Sequence, residues 1–239
     1  MKKMLKKPKY GQIIFLHCGL SGFENKQDTI RYFLGEVERI FEPKCIIIPT
    51  FTYSFTKTGI FDYRKTPSEV GLFSELVRKN SNTSKRSNDP IFSVVTIGDC
   101  NILLNAFSVG IFENGGLLDK LHTYGHICIN INVKKPLVST YLHYLEKISD
   151  VDYRYNKIFD GKIYDNQDHC FHPVSYNSYV RDTSKALAWN RENIVKFLRK
   201  NELLYDLTDF NCKAFWFESK LVGNKLLQQM AVDSRFLLK

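Results

Sequence analysis

Ile13-Ile14-Phe15-Leu16-His17-Cys18, the segment Lys26–Phe41 and Cys45-Ile46-Ile47-Ile48 together decide the fold class. The first and third are short apolar runs without alternation, the pattern of strands buried on both faces. The segment between them repeats apolar residues at helical spacing, with Ile30, Phe33, Leu34, Val37, Ile40 and Phe41 on one face. Strand, helix and strand in that order make a parallel crossover unit.

The same alternation continues outward. Thr66-Pro67-Ser68-Glu69 opens a further helix towards Arg78, capped by Thr66 or Ser68, with Pro67 suited to its first turn. Ser93–Ile97 and Ile127–Val133 read as strands, Leu117–His122 as a helical turn and Ser139–Ile148 as a helix. We therefore expect an α/β protein with a mostly parallel central sheet flanked by helices. Ligands of such sheets sit at the carboxyl ends of the strands. Residues 150–182 are rich in Tyr, Asp and Asn and read as loops and antiparallel strands. Thr183–Lys200 reads as a helix, Phe210–Phe217 as a strand and Glu218–Val232 as a closing amphipathic helix. The last third is thus an irregular α+β part of one domain spanning 1–239.

With 18 Phe and 13 Tyr among 239 residues, the chain has enough large apolar side chains for a core, which excludes general disorder. No apolar run reaches the roughly 18–20 residues of a membrane span. The net charge of +9 favours anionic partners. Lys2, Lys3, Lys6, Lys7 and Lys9 form a basic, solvated tail over residues 1–10. No small-x-small cleavage site follows Ile13–Cys18, and His17 precedes Cys18 where a lipoprotein signal needs a small residue. A cytoplasmic protein is expected. The six Cys are widely spaced, with no CxxC pair, and Cys45, Cys100 and Cys128 read as reduced core residues. His169-Cys170-Phe171-His172, near Asp165 and Asp168, lacks a second ligand pair at zinc spacing, so no metal is expected.

Thr140-Tyr141-Leu142-His143-Tyr144-Leu145-Glu146 carries the clearest chemistry. Thr140, His143 and Glu146 are spaced by three and share an arc of about 120° on a helix. A carboxylate one turn from a His holds one ring nitrogen and makes the other a general base. A neighbouring hydroxyl can donate to a developing oxyanion. Nucleophile elbow, P-loop, dinucleotide fingerprint and zinc-protease motif are all absent. A base without an enzymic nucleophile favours direct attack by a bound substrate.

Five blocks in order resemble the aminoglycoside 3-N-acetyltransferase family, the fold distinct from the GNAT acetyltransferases. Leu16-His17-Cys18-Gly19-Leu20-Ser21 is similar to V-H-S-S-L-S, and Ile48-Pro49-Thr50-Phe51-Thr52 to M-P-T-F-T. Phe61-Asp62-Tyr63-Arg64-Lys65-Thr66-Pro67-Ser68 resembles F-D-P-x-x-T-P-S. Arg86-Ser87-Asn88-Asp89-Pro90, with Ser93-Val94, resembles R-S-x-H-P-x-x-S-V, and Thr140–Glu146 resembles T-x-L-H-x-x-E.

The resemblance implies acyl transfer from acetyl-coenzyme A, or another short acyl-coenzyme A, to an amine. His143 is then the general base, Glu146 its orienter and Thr140 a stabiliser of the tetrahedral intermediate. Ser21, Arg86, Ser87 and Ser93 become candidates for holding the coenzyme, Arg86 through a phosphate. Departures at Cys18, Gly19, Asp89 and Ile111–Gly115 bear on the acceptor more than on the reaction. Asp62, Asp89 and Glu113 are the acidic candidates near it.

Arg154 and Lys157, in the basic and aromatic run Asp152–Lys162, would suit an anionic acceptor. We therefore expect a nucleotide-linked amino sugar used in surface polysaccharide synthesis, with an aminoglycoside drug as the alternative. An inactive relative binding nucleic acid is disfavoured by the intact T-x-x-H-x-x-E. An amidase or thioesterase with Cys18 as nucleophile lacks an elbow. No nucleic-acid partner and no membrane insertion are expected, and a homo-oligomer is compatible with the sequence.

Overall fold

The computed structural model describes residues 12–80, 85–164, 168–185 and 187–238. The basic tail and Asp165 lie outside them. The strands are β1 (Ile13–Cys18), β2 (Cys45–Pro49), β3 (Ile60–Phe61), β4 (Lys85–Arg86), β5 (Val94–Gly98) and β6 (Ile127–Ile131). They continue with β7 (Arg154–Tyr164), β8 (Phe171–Arg181), β9 (Tyr205–Asp206) and β10 (Ala214–Glu218). The helices are α1 (Lys26–Phe41), α2 (Phe55–Thr58), α3 (Leu72–Lys79), α4 (Leu117–Tyr124), α5 (Tyr141–Ile148), α6 (Arg191–Lys200) and α7 (Ser219–Val232).

The main sheet has the order β4-β5-β2-β1-β6-β10-β9. Its centre, β2-β1-β6, is parallel, as the crossover reading requires. The strands added outside, β5 and β4 on one side and β10 and β9 on the other, are antiparallel, so the sheet is mixed. The central strands are apolar without alternation because both faces are covered. Phe15, Ile47 and Phe217 face a core shared with α4, α5 and α7, while Ile14, Leu16, Ile46 and Trp216 face α1 and α3. Asn25 caps α1 by accepting from the Asp28 amide.

Four local readings change. The helix expected over Thr183–Lys200 begins at Arg191, capped by Asn190, and the strand expected over Phe210–Phe217 spans Ala214–Glu218. The helix expected from Thr66 begins at Leu72, with Gly71 at its cap position. Thr66 Oγ1 accepts from the Asp62 amide, and the Ser68 amide donates to Glu75 Oε2. Those bonds hold residues 62–71 as a loop. Cys45 and Cys100 are joined as a disulfide rather than reduced. Cys45 pairs with Gly98 in the β2–β5 ladder, and the turn after Gly98 brings Cys100 beside it. Among the described residues no helix is long and apolar enough to cross a membrane.

Within the stretch 150–182, β7 and β8 pair as a long antiparallel hairpin, with β3 added in parallel to β7. Its register pairs Arg154 with Arg181 at the base and Tyr164 with Phe171 near the tip. A third, smaller core of Phe55, Phe61, Ile91 and Tyr176 seats it against the domain. Gly161 lets it approach, since a Cβ there would lie 2.3 Å from Gly59 O.

Candidate active site

The carboxyl ends of β1, β2 and β6 and the first turn of α5 open into one cleft of about 990 Å³. Asn132, at φ 52°, ends β6 and ties the strand ends together, donating to Gly19 O at 3.2 Å and Ser21 O at 2.8 Å. A Cβ at Gly19 would stand 2.3 Å from Asn132 O. The glycine at that position in the first sequence block is therefore demanded by this close approach.

Thr140 precedes α5, lines the cleft and makes no side-chain cap bond. One turn on, His143 Nδ1 lies 2.7 Å from Glu146 Oε2. The Glu146 side chain is fully buried, whereas that of His143 is 31% exposed and lines the cleft. Two further residues complete the arrangement. Arg154, entering from β7, places Nε 2.7 Å from Glu146 Oε2 and Nη2 2.6 Å from His143 Nδ1. Trp189 donates its indole N–H to Glu146 Oε1 at 2.6 Å and lays its ring over His143, with centroids 4.1 Å apart. Arg191 covers the Trp189 ring and donates to Leu137 O.

Burial alone would raise the Glu146 pKa, but the hydrogen bond and charge of His143, with Arg154 and Trp189, hold it below the usual value. Burial lowers the His143 pKa; Glu146 opposes this, while Arg154 and Arg191 add to it, and the net direction is down. The resting pair is therefore a carboxylate and a neutral imidazole. When Nδ1 carries the proton towards Glu146, Nε2 is left with a free lone pair, which is the requirement for a general base.

The other sequence candidates divide sharply. Ser21 lines the cleft. Arg86, Ser87 and Ser93 do not. Arg86 spends its donors on Ser93 Oγ, Tyr63 O, Thr66 O and Thr50 O, all within 3.0 Å. Burial, then Arg78, brings its pKa down to about 9. It holds loops together and does not line the cleft. Ser87 Oγ accepts from the Val94 amide, and fully buried Ser93 donates to Thr50 O.

Among the acceptor candidates, Asp62 is buried in its own turn, accepting from the Arg64 and Lys65 amides. Asp89 is buried and accepts from the Ile91, Phe92 and Ile111 amides and from Tyr176 Oη. Glu113 bonds Asn177 and pairs with Lys147 outside the cleft. Lys157 is exposed on β7, over the Phe159 ring. Arg154 alone of this set reaches the cleft, and there it serves the dyad. At the hairpin tip His172 bonds Asp168 at 2.5 Å, and no three metal-binding side chains cluster among the described residues.

Several cleft residues escaped the sequence reading. Trp189 is 43 residues from Glu146 and has no motif around it. Lys134 and Lys135 follow β6 as an ordinary-looking basic pair. His17 stands inside a strand whose apolar neighbours announce burial, yet nothing in them announces that it faces the cleft. It lines the cleft floor, and its Nε2 has no hydrogen-bond partner among the described residues. Burial and then His126 bring its pKa down to about 3, so it is neutral.

The sequence profile described as aminoglycoside 3-N-acetyltransferase matches residues 46–210, more than half of the chain. No curated protein sequence matches the chain. Solved structures share the fold at low identity. Aminoglycoside acetyltransferase AAC(3)-Xa superposes with a TM-score of 0.74 at 14% identity, covering 95% of this chain and 88% of its own. AAC-IIIb bound to coenzyme A gives 0.71 at 14% identity, with 95% and 91% covered. A histidine-to-alanine variant of AAC(3)-IVa in complex with a gentamicin gives 0.73 at 14% identity, with 96% and 85% covered.

Proposed function

This chain belongs to the aminoglycoside 3-N-acetyltransferase family and is an acyl-coenzyme A-dependent N-acyltransferase, and we propose that it acetylates an amine of an amino sugar with His143 as general base. The observation that carries this reading is the neutral His143, backed by a buried carboxylate at the wall of a large cleft. The cleft suits a long phosphorylated donor, since Lys134, Lys135, Arg181 and Arg191 line it.

The donor supplies a thioester carbonyl as electrophile. His143 Nε2 takes the proton that the amine loses as it attacks. The new N–C bond forms as the C–S bond breaks, and the proton passes to the departing sulfur. Thr140, uncommitted to helix capping, donates to the carbonyl oxygen as negative charge builds on it.

Two acceptor classes rest on different observations. Family membership and the gentamicin-bound relative support an aminoglycoside. The charge of the cleft supports an amino sugar carrying phosphate, such as a nucleotide-linked one. With Arg154 matched by Glu146, Lys26, Lys134, Lys135, Arg181 and Arg191 line the cleft against one further carboxylate, Glu69, which already accepts from the Ser54 amide. A polycation would meet a repulsive field there.

The test is thiol release from acetyl-coenzyme A with kanamycin and, separately, with a UDP-linked amino sugar. A higher kcat/KM for kanamycin selects the first class, and a higher value for the UDP sugar the second. Absence of turnover with both would overturn the reading, as would native rates in His143→Ala.

A further inference from the structure

Glu146 has more partners than an orienting carboxylate needs. Its Oε1 takes the Trp189 N–H, and its Oε2 faces both His143 Nδ1 and Arg154 Nε. The Arg154 side chain is only 9% exposed, so this ion pair is screened little by water. The same guanidinium brings Nη2 to 2.6 Å from Nδ1. One ring nitrogen cannot both donate to Glu146 and accept from Arg154. A proton on Nδ1 satisfies the carboxylate and leaves Nε2 basic. A bare Nδ1 satisfies Arg154 but turns Nε2 into a donor facing the cleft.

Resting on the proposed role of His143 as base, we propose that Arg154 is a positioning residue for it: its guanidinium pairs by charge with the Glu146 carboxylate, and the same positive charge, set beside the ring, opposes formation of imidazolium. The charged groups facing the ring are Glu146 from α5, Arg154 from β7 and Arg191 from the start of α6, with Tyr153 and Tyr179 on the Glu146 side. The carboxylate is matched by Arg154, so the dyad holds no surplus negative charge to retain a proton on the ring. His143 then rests neutral, takes the amine's proton at Nε2 and returns it readily to the departing sulfur. Placement on the hairpin makes β7 part of the active-site machinery.

The experiment is 15N imidazole NMR on the free full-length protein, with His143 identified by its loss in His143→Gln. In wild type we expect the Nδ1–H tautomer and a titration midpoint below 6.5. Arg154→Met should raise that midpoint by at least about one pH unit, because a like charge has gone and Glu146 is left unmatched. Arg154→Lys, which keeps the charge, should stay close to wild type. A midpoint in folded Arg154→Met within a few tenths of wild type overturns the proposal. If Arg154→Met does not fold, the wild-type spectrum still decides: an Nε2–H tautomer or a midpoint above 6.5 overturns it. These readouts need no acceptor. A protein that titrates as stated but never consumes acetyl-coenzyme A would overturn the proposed reaction and leave this arrangement standing.

Discussion

Two matched blocks of this sequence meet opposite fates in the fold. Thr140–Glu146 puts a hydroxyl and an imidazole on the cleft and a carboxylate behind them. Arg86–Val94 looks equally rich in function, with a guanidinium, two hydroxyls and a carboxylate, yet turns inward. Arg86 is tied to three backbone carbonyls and Ser93, and Asp89 to three amides and Tyr176. A family motif marks a position under constraint; the constraint can be chemistry in one block and loop anchoring in another. Orientation relative to the strand ends separates them, and it is absent from the motif.

Substitutions in the two blocks should therefore fail differently. His143→Ala should lower kcat by about 10²–10⁴-fold while leaving the melting temperature near wild type, measured by thiol release and thermal unfolding on the same preparation. A collapse in stability would place His143 with the anchoring block.

Arg86→Met should do the reverse. Leaving three carbonyls, that of buried Thr50 among them, without this donor should cost about 3 kcal/mol of stability, read from urea unfolding. Folded enzyme at low temperature should keep its KM for acetyl-coenzyme A. A raised KM with native stability would return Arg86 to the coenzyme.

Glu146→Gln should lose about 10–100-fold in kcat, the scale of losing a histidine's supporting carboxylate, and less than His143→Ala. A larger loss than in His143→Ala would make Glu146 the primary base.

A smaller effect per residue than that of Arg86→Met concerns the buried histidines His17 and His126, whose pKa values are brought down to about 3 and about 4, chiefly by burial. Below pH 6.5 the unfolded chain binds protons that the folded chain refuses, so stability falls with falling pH until the folded values are reached. Between pH 6.5 and 5 each contributes a loss of up to about 2 kcal/mol. Urea unfolding at those two pH values should show it, and His126→Phe should flatten the slope. An unchanged slope would mean that His126 is already protonated or accessible.

Sequence alone determined the parallel centre, because strands buried on both faces must be apolar throughout, and Ile13–Cys18 and Cys45–Ile48 have no other use. It also determined the dyad, since spacing on one helix brings His143 and Glu146 together through local geometry. Both depend on contacts between residues close in the chain or repeated at a fixed period.

Tertiary structure alone decided what surrounds them. Arg154 and Trp189 reach Glu146 from a hairpin strand and a loop, over separations that no periodicity encodes. The inward turn of Arg86 and the pairing of Cys45 with Cys100 were equally beyond local reading. The physical reason is the same in each case. A charged or reactive side chain has the same identity whether it faces solvent, ligand or another part of its own chain. Only the packing of distant elements settles which of these satisfies its hydrogen bonds and charge.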